Sequence, residues 1–285
     1  MTPAIEGAPR RKVILIPAIA LLFSGCFGLQ PPEANGPKAN QPAYPLLLSE
    51  DNARLEAAMV QWERLAQTVQ QPNVKDFRLR PVTSTIESLP ANSALYLPKV
   101  GSNPTMSEEE IREALRRFIN DWQGLIGADP AQLSLVERTD QPDGIKLARY
   151  EQHPFRFPLR GAYGGLEIRF AADRRVVDFS SSCIPNAERL QPAIAAMNPQ
   201  LTWEEAAKLI ISLTATYGPI GSSQNTYQLS QANQPEVREL VVYARQPNIG
   251  GDLPALHLAW EIAVSNAPFK LVYLDAVKGE VIATV

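Results

Sequence analysis

An α+β fold built as two related units is what this sequence predicts, and two observations carry that expectation. A helix opened by a capping box precedes a run of strand-like segments, and the same order then occurs a second time. The closing stretch 256–264 alternates without a break. Leu256, Leu258, Trp260, Ile262 and Val264 fall on one side and His257, Ala259, Glu261 and Ala263 on the other, the period of a half-buried strand. Ser265, Asn266 and Pro268 interrupt it, and 270–276 resumes it. The turn chemistry of 275–280, with Gly279 free to take positive φ, leads into an apolar run at 281–285. That is an antiparallel meander with one dry face.

The totals narrow the field. A chain of 285 residues, 45% hydrophobic and 20% charged, is long enough for one or two domains with a real core. A net charge of −3 argues against nucleic-acid binding, which needs a clustered basic face. Two histidines, His153 and His257, and two cysteines, Cys26 and Cys183, leave little material for metal or nucleophilic chemistry.

Arg10, Arg11 and Lys12 precede an apolar run at 13–23, followed by Ser24, Gly25 and Cys26. This is the pattern of an export signal, 1–25, and the run is shorter than the roughly 20 residues a permanent span requires. Small residues directly before a cysteine resemble a bacterial lipobox. That resemblance implies lipidation of Cys26, a membrane partner through the lipid, and an envelope location. In a Gram-negative host it implies the outer membrane facing the periplasm, because Phe27 stands where an aspartate would signal retention. The proline-rich stretch that follows has almost nothing to bury and reads as a tether, 26–46.

Within 47–106 the sequence predicts a helix over about 50–70, with Leu55, Met59, Trp62, Leu65 and Val69 as its apolar stripe. The connector 71–105 reads as irregular with one short strand. The first unit, 107–190, opens with Ser107 and Glu110 as a capping box and three glutamates suited to the helix dipole. Ile111, Leu115, Phe118, Ile119 and Trp122 form its buried face, and strands are expected at 133–138, 145–152, 165–171 and 175–184. The second unit, 200–285, opens with Thr202 and Glu205. Its helix is expected to reach about Tyr217 with Trp203, Ala206, Ile210 and Leu213 on one face, before a strand at 237–245 and the meander.

The capped helix ending near 126–133, followed by 147–186, resembles the fungalysin/thermolysin propeptide (FTP) motif over roughly 107–185, at Tyr150, Pro158, Gly161, Gly164, Gly165, Leu166, Asp173 and Val177. Arg156, Phe157, Pro158 and Leu159 replace that family's Gly-Val-Pro-Val turn. The LAWEIAV strand followed by VYLDAVKGEVI resembles the closing hairpin of PepSY domains. Together they span most of the chain after the tether, in the order found in propeptides of thermolysin-like metallopeptidases. The resemblance implies a helix lying across a curved antiparallel sheet in each unit. It also implies the inhibitor and intramolecular-chaperone behaviour of such propeptides.

The HExxH helix of those peptidases is absent from the sequence. Cys183 shares phase with Val177, Phe179 and Ser181 and reads as a buried structural thiol. His257 reads as a solvated residue on the polar side of its strand. No catalytic set, cofactor site or metal site is expected. The expectation is therefore a non-catalytic envelope protein that binds and modulates an exported peptidase, or another exported protein, in trans. A ligand-binding or cell-wall scaffold is the alternative. Tyr163, Gly164, Gly165 and His257 are the candidate binding residues, the glycines because a missing side chain allows close backbone approach. A tight turn or bulge accounts for the same glycines equally simply.

Overall fold

The computed structural model describes residues 43–68, 78–90, 93–102, 105–218, 223–246 and 253–285. The leader, Cys26, most of the tether and Val69 lie outside them. The fold is α+β.

Two short strands and a helix open the described chain: β1 (Leu46–Leu47), α1 (Asn52–Thr68) and β2 (Arg78–Leu79). Then come β3 (Ile86–Ser88), β4 (Leu95–Tyr96), α2 (Glu108–Asp121) and α3 (Gln123–Ile126). Next are β5 (Leu133–Asp140), β6 (Lys146–Gln152), β7 (Leu159–Gly161), β8 (Gly165–Phe170) and β9 (Arg175–Ser181). The second half holds α4 (Gln191–Ala196), α5 (Trp203–Ile210), β10 (Thr214–Tyr217) and β11 (Asn225–Gln228). It closes on β12 (Glu236–Arg245), β13 (Ala255–Ala263), β14 (Leu271–Asp275) and β15 (Val281–Thr284).

The first sheet runs β4-β9-β8-β6-β5, all antiparallel, and α2 lies on it. Both halves of the capping box form: Glu110 N–H donates to Ser107 Oγ, and Ser107 N–H donates to Glu110 Oε2. This places the helix face as expected, with Ile111, Leu115, Phe118, Ile119 and Trp122 all buried. Phe118 meets Phe179 of β9 edge to face at 5.3 Å. Burying one such ring is worth about 2–3 kcal/mol.

The second sheet runs β15-β14-β13-β12-β7, with β1 added to the edge of β13 beyond the end of β14. Its apolar face (Ile262, Val272, Leu274) packs on Ala206 and Ile210 of α5, which is again entered by a complete capping box, Thr202 with Glu205. β7 pairs with β12 in parallel, although β6 before it and β8 after it belong to the first sheet. Leu159, Ile184, Val242, Leu256 and Leu258 share one buried cluster at this junction.

Several expectations need correcting. On α1 the buried residues are Ala58, Trp62 and Leu65, while Leu55 and Met59 are exposed. The helix turns its narrow side inward because it lies against α3 at Gly124, where a Cβ would come within 2.3 Å of Gln61 Cγ. The connector 71–105 contributes three short strands rather than one. The helix from Thr202 stops at Ile210, and Thr214–Tyr217, rich in β-branched and aromatic side chains, pairs with Asn225–Gln228 instead. Trp203, in the first turn, is exposed. An irregularity between Arg169 and Phe170 shifts the phase of β9, so Val176 is buried and Val177 exposed. Cys183 is buried as expected.

Candidate binding surface

The largest departure from the sequence reading concerns the polar side of β13. His257 and Glu261 are both buried, and so is Asp275 on the neighbouring strand. Both faces of this strand are dry because partners from other segments satisfy its polar side chains.

Register explains which groups meet. Tyr243 stands opposite Arg160 on one side and His257 on the other, and Glu261 stands opposite Tyr273. Tyr273 Oη donates to Glu261 Oε2 at 3.0 Å. The Arg160 guanidinium lies 3.5 Å from Glu261, 3.0 Å from Glu239 and 3.8 Å from Glu151. Arg238 approaches the other Glu261 oxygen at 3.7 Å. The Tyr243 and Tyr273 rings pack at 4.4 Å between centroids. Burial, and then the Glu261 charge and its hydrogen bond, push the Tyr273 phenol well above its ordinary value. The phenol is therefore a fixed donor, and one arginine joins four strands, β6, β7, β12 and β13.

Tyr163, Gly164 and Gly165 line a cleft of about 230 Å³ with Arg149, Glu151, Arg160 and Ser182, at the place where β7 passes between the sheets. The glycines here serve the chain's own packing. Gly161 has φ +99°, and a Cβ on it would meet the Ala244 carbonyl oxygen at 2.4 Å. Gly164 has φ +91°, and Leu159 Cδ2 fills the space its side chain would need. Gly165 holds both strands of the hairpin: its N–H donates to Ser182 Oγ at 3.0 Å, and its carbonyl accepts from Ser182 N–H at 2.7 Å.

His257 stands apart from those three residues. Asp275 Oδ2 lies 2.9 Å from its Nδ1. A carboxylate can only accept, so Nδ1 carries the proton; His257 also lines a second cleft, of about 280 Å³, with Arg245, Lys278 and Glu280. Asp275 Oδ1 accepts from Tyr44 Oη and from the N–H groups of Val277 and Lys278, each at 2.8 Å. Burial alone would raise the Asp275 carboxyl. The bonds from His257, the Lys278 N–H, Tyr44 and the Val277 N–H outweigh it and hold the group below its ordinary value.

Among the described residues, no serine, threonine or cysteine lines the cleft beside this His–Asp pair. Cys183 is buried elsewhere, and burial pushes its thiol up to about 11. Among the described residues no group of three or more His, Cys, Asp or Glu side chains is placed to hold a metal ion. No described helix is long and apolar enough to cross a membrane. Sequence reasoning missed Tyr44, Arg160 and Asp275. Asp275 carried a signal, an acid ending a strand beside a histidine-bearing one, but Tyr44 carried none.

No protein-family model matches the chain, and no curated protein matches it. Among solved structures, an uncharacterized protein from Eubacterium rectale ATCC 33656 is similar over 84% of this chain and 84% of its own. The identity is 10% and the TM-score 0.28, a likeness too distant to carry an argument.

Proposed function

We propose that this chain is a non-catalytic envelope protein, anchored through a lipid on Cys26, that binds an exported peptidase or another exported protein in trans and modulates it. The observation that carries this reading is the repeated layer: a capped helix on a sheet, twice, in the order of FTP-like and PepSY-like units. The leader ending in Ser24, Gly25 and Cys26 supports the anchor. The cleft bearing Tyr163 is the contact surface. Its rim of Arg149, Glu151, Arg160 and Glu167 suits the backbone and charged side chains of an extended polypeptide.

Affinity capture from solubilised envelopes, with the full chain as bait, tests the reading. An exported protein should be recovered, and Tyr163→Asp should lose it. Recovery of no protein partner overturns the proposal. Retention on purified envelope polymer alone replaces it with a scaffold role.

A further inference from the structure

Where the chain passes from β1 into α1, the apolar side chains of Leu48, Val82, Ile184 and Leu190 wall a cleft of about 180 Å³. Its charged residues are Asp51, Arg54 and Arg189. Asp51 is already engaged, because its Oδ1 accepts the N–H of Ala53 at 2.9 Å and of Arg54 at 3.3 Å, closing the first turn of α1. Arg54 is not. Among the described residues its one side-chain hydrogen bond is a long contact of 3.4 Å from Nη2 to the Ser84 carbonyl, and its buried Nε meets no acceptor there. The Arg189 guanidinium makes no hydrogen bond or ion pair among the described residues.

An unmet N–H on a permanently charged group is expensive to bury, and native proteins rarely leave one without a partner or a use. A guanidinium has five donors in a planar fork and no acceptor of its own, so only an acceptor completes it, and a carboxylate fits that fork best. Burial pushes the Arg54 guanidinium below its ordinary value, against the opposing pull of Asp51. Arg54 is half-buried and Arg189 exposed, so the gain from an anion is greater at Arg54. Gly127, beside the cleft, lets Thr85, Pro185 and Arg54 pack closely. A Cβ there would meet Thr85 Cγ2 at 2.6 Å, Pro185 Cγ at 3.0 Å and Arg54 Nη2 at 3.4 Å. The volume is close to that of a cavity that takes a benzene ring, about 150 Å³.

We propose that this cleft binds a small carboxylate carried on an apolar stem, with Arg54 and Arg189 as its anion partners and Leu48, Val82, Ile184 and Leu190 around the stem. Two sources share that chemistry, a medium-chain fatty acid and the free C-terminus of a peptide ending in an aliphatic residue. The site is separate from the Tyr163 cleft and does not rest on the reading proposed for that cleft.

Calorimetric titration of the full chain tests it, with octanoate against octanamide and acetyl-Ala-Ala-Leu acid against its amide. At least one acid should bind, and its neutral amide should bind at least about tenfold more weakly. Arg54→Gln should weaken the acid by a similar factor with circular dichroism and melting temperature unchanged. If Arg54→Gln does not fold, Arg189→Gln carries the same test. The acid that binds more tightly identifies the source. Three results overturn the proposal: neither acid binds at about millimolar concentration, so that water alone completes Arg54; acid and amide bind alike; or neither arginine substitution weakens binding.

Discussion

Tyr44 and Asp275 lie 231 positions apart and share a hydrogen bond of 2.8 Å. The same hydroxyl accepts the Leu258 N–H at 3.2 Å, so one side chain from the start of the described chain closes a gap in the last sheet. Tyr44→Phe removes both bonds while keeping the ring, which meets His257 edge to face at 5.9 Å. The expected cost is about 1 kcal/mol, read as a fall of roughly 2–4 °C in melting temperature. Asp275→Ala orphans four donors and should cost about 3 kcal/mol or more. The two losses should be less than additive in a double-mutant cycle.

Acid should find this site. The Asp275 carboxyl is held below its ordinary value in the fold. Its contribution is therefore fully present above the unfolded carboxyl value, about 3.9, and is lost as pH falls through the lower folded value. Denaturant titrations between about pH 2 and 6 should show the gap between wild type and Asp275→Asn narrowing toward the acid end, with no change across the upper part of that range.

Arg160 ties β7 by its side chain to the strands beyond its backbone pairing, and Glu261 is its buried partner. Arg160→Leu leaves that carboxylate with Tyr273 and a distant Arg238, at an expected cost of about 1–3 kcal/mol. Adding Glu261→Gln should recover part of it, because the stranded charge is then gone. Chemical denaturation of the two single variants and the double variant measures this.

Gly161 and Gly165 should respond differently to alanine. At Gly161 the positive φ and the Ala244 carbonyl both oppose a side chain, and the expected loss is at least about 2 kcal/mol. At Gly165 a Cβ would meet only Ser182 Oγ, at 3.4 Å, and the change should stay within about 1 kcal/mol. Equal losses at the two positions would mean that the Ala244 carbonyl is not what keeps β7 in place.

The Cys183 thiol is buried and pushed up to about 11. At about pH 8 it should resist alkylation in the native protein and react once denaturant opens the fold. Mass-spectrometric mapping of the labelled peptide reads this directly.

The sequence made some of this fold legible and hid the rest for physical reasons. Ser107 with Glu110 and Thr202 with Glu205 are local devices, so both helix starts were readable. The core face of 256–264 was readable because it is set by alternation, whereas 133–138 and 145–152 were readable as strands only, and an irregularity between Leu135 and Glu137 leaves Val136 exposed. The fate of the other face of β13 was not readable. Periodicity tells polar from apolar, but whether a polar side is wet depends on what reaches it from elsewhere in the chain. Here the groups that reach it are Tyr44, Arg160 and Asp275. The stripe of α1 failed for a related reason. Leu55 and Met59 are more hydrophobic than Ala58, yet the close approach at Gly124 favours the smaller side chain. Tyr163, Gly164 and Gly165 did converge on one cleft, and His257 fell into another.

The pairing order carries a last consequence, for biosynthesis. β1 finds its partner in β13, and β7 finds its own in β12, each far later in the chain. Neither has anywhere to lodge until that later strand has been made. A nascent chain stalled before Glu236 would hold every strand of the first sheet and two loose ribbons. Such non-local closure folds slowly and leaves strand edges open meanwhile.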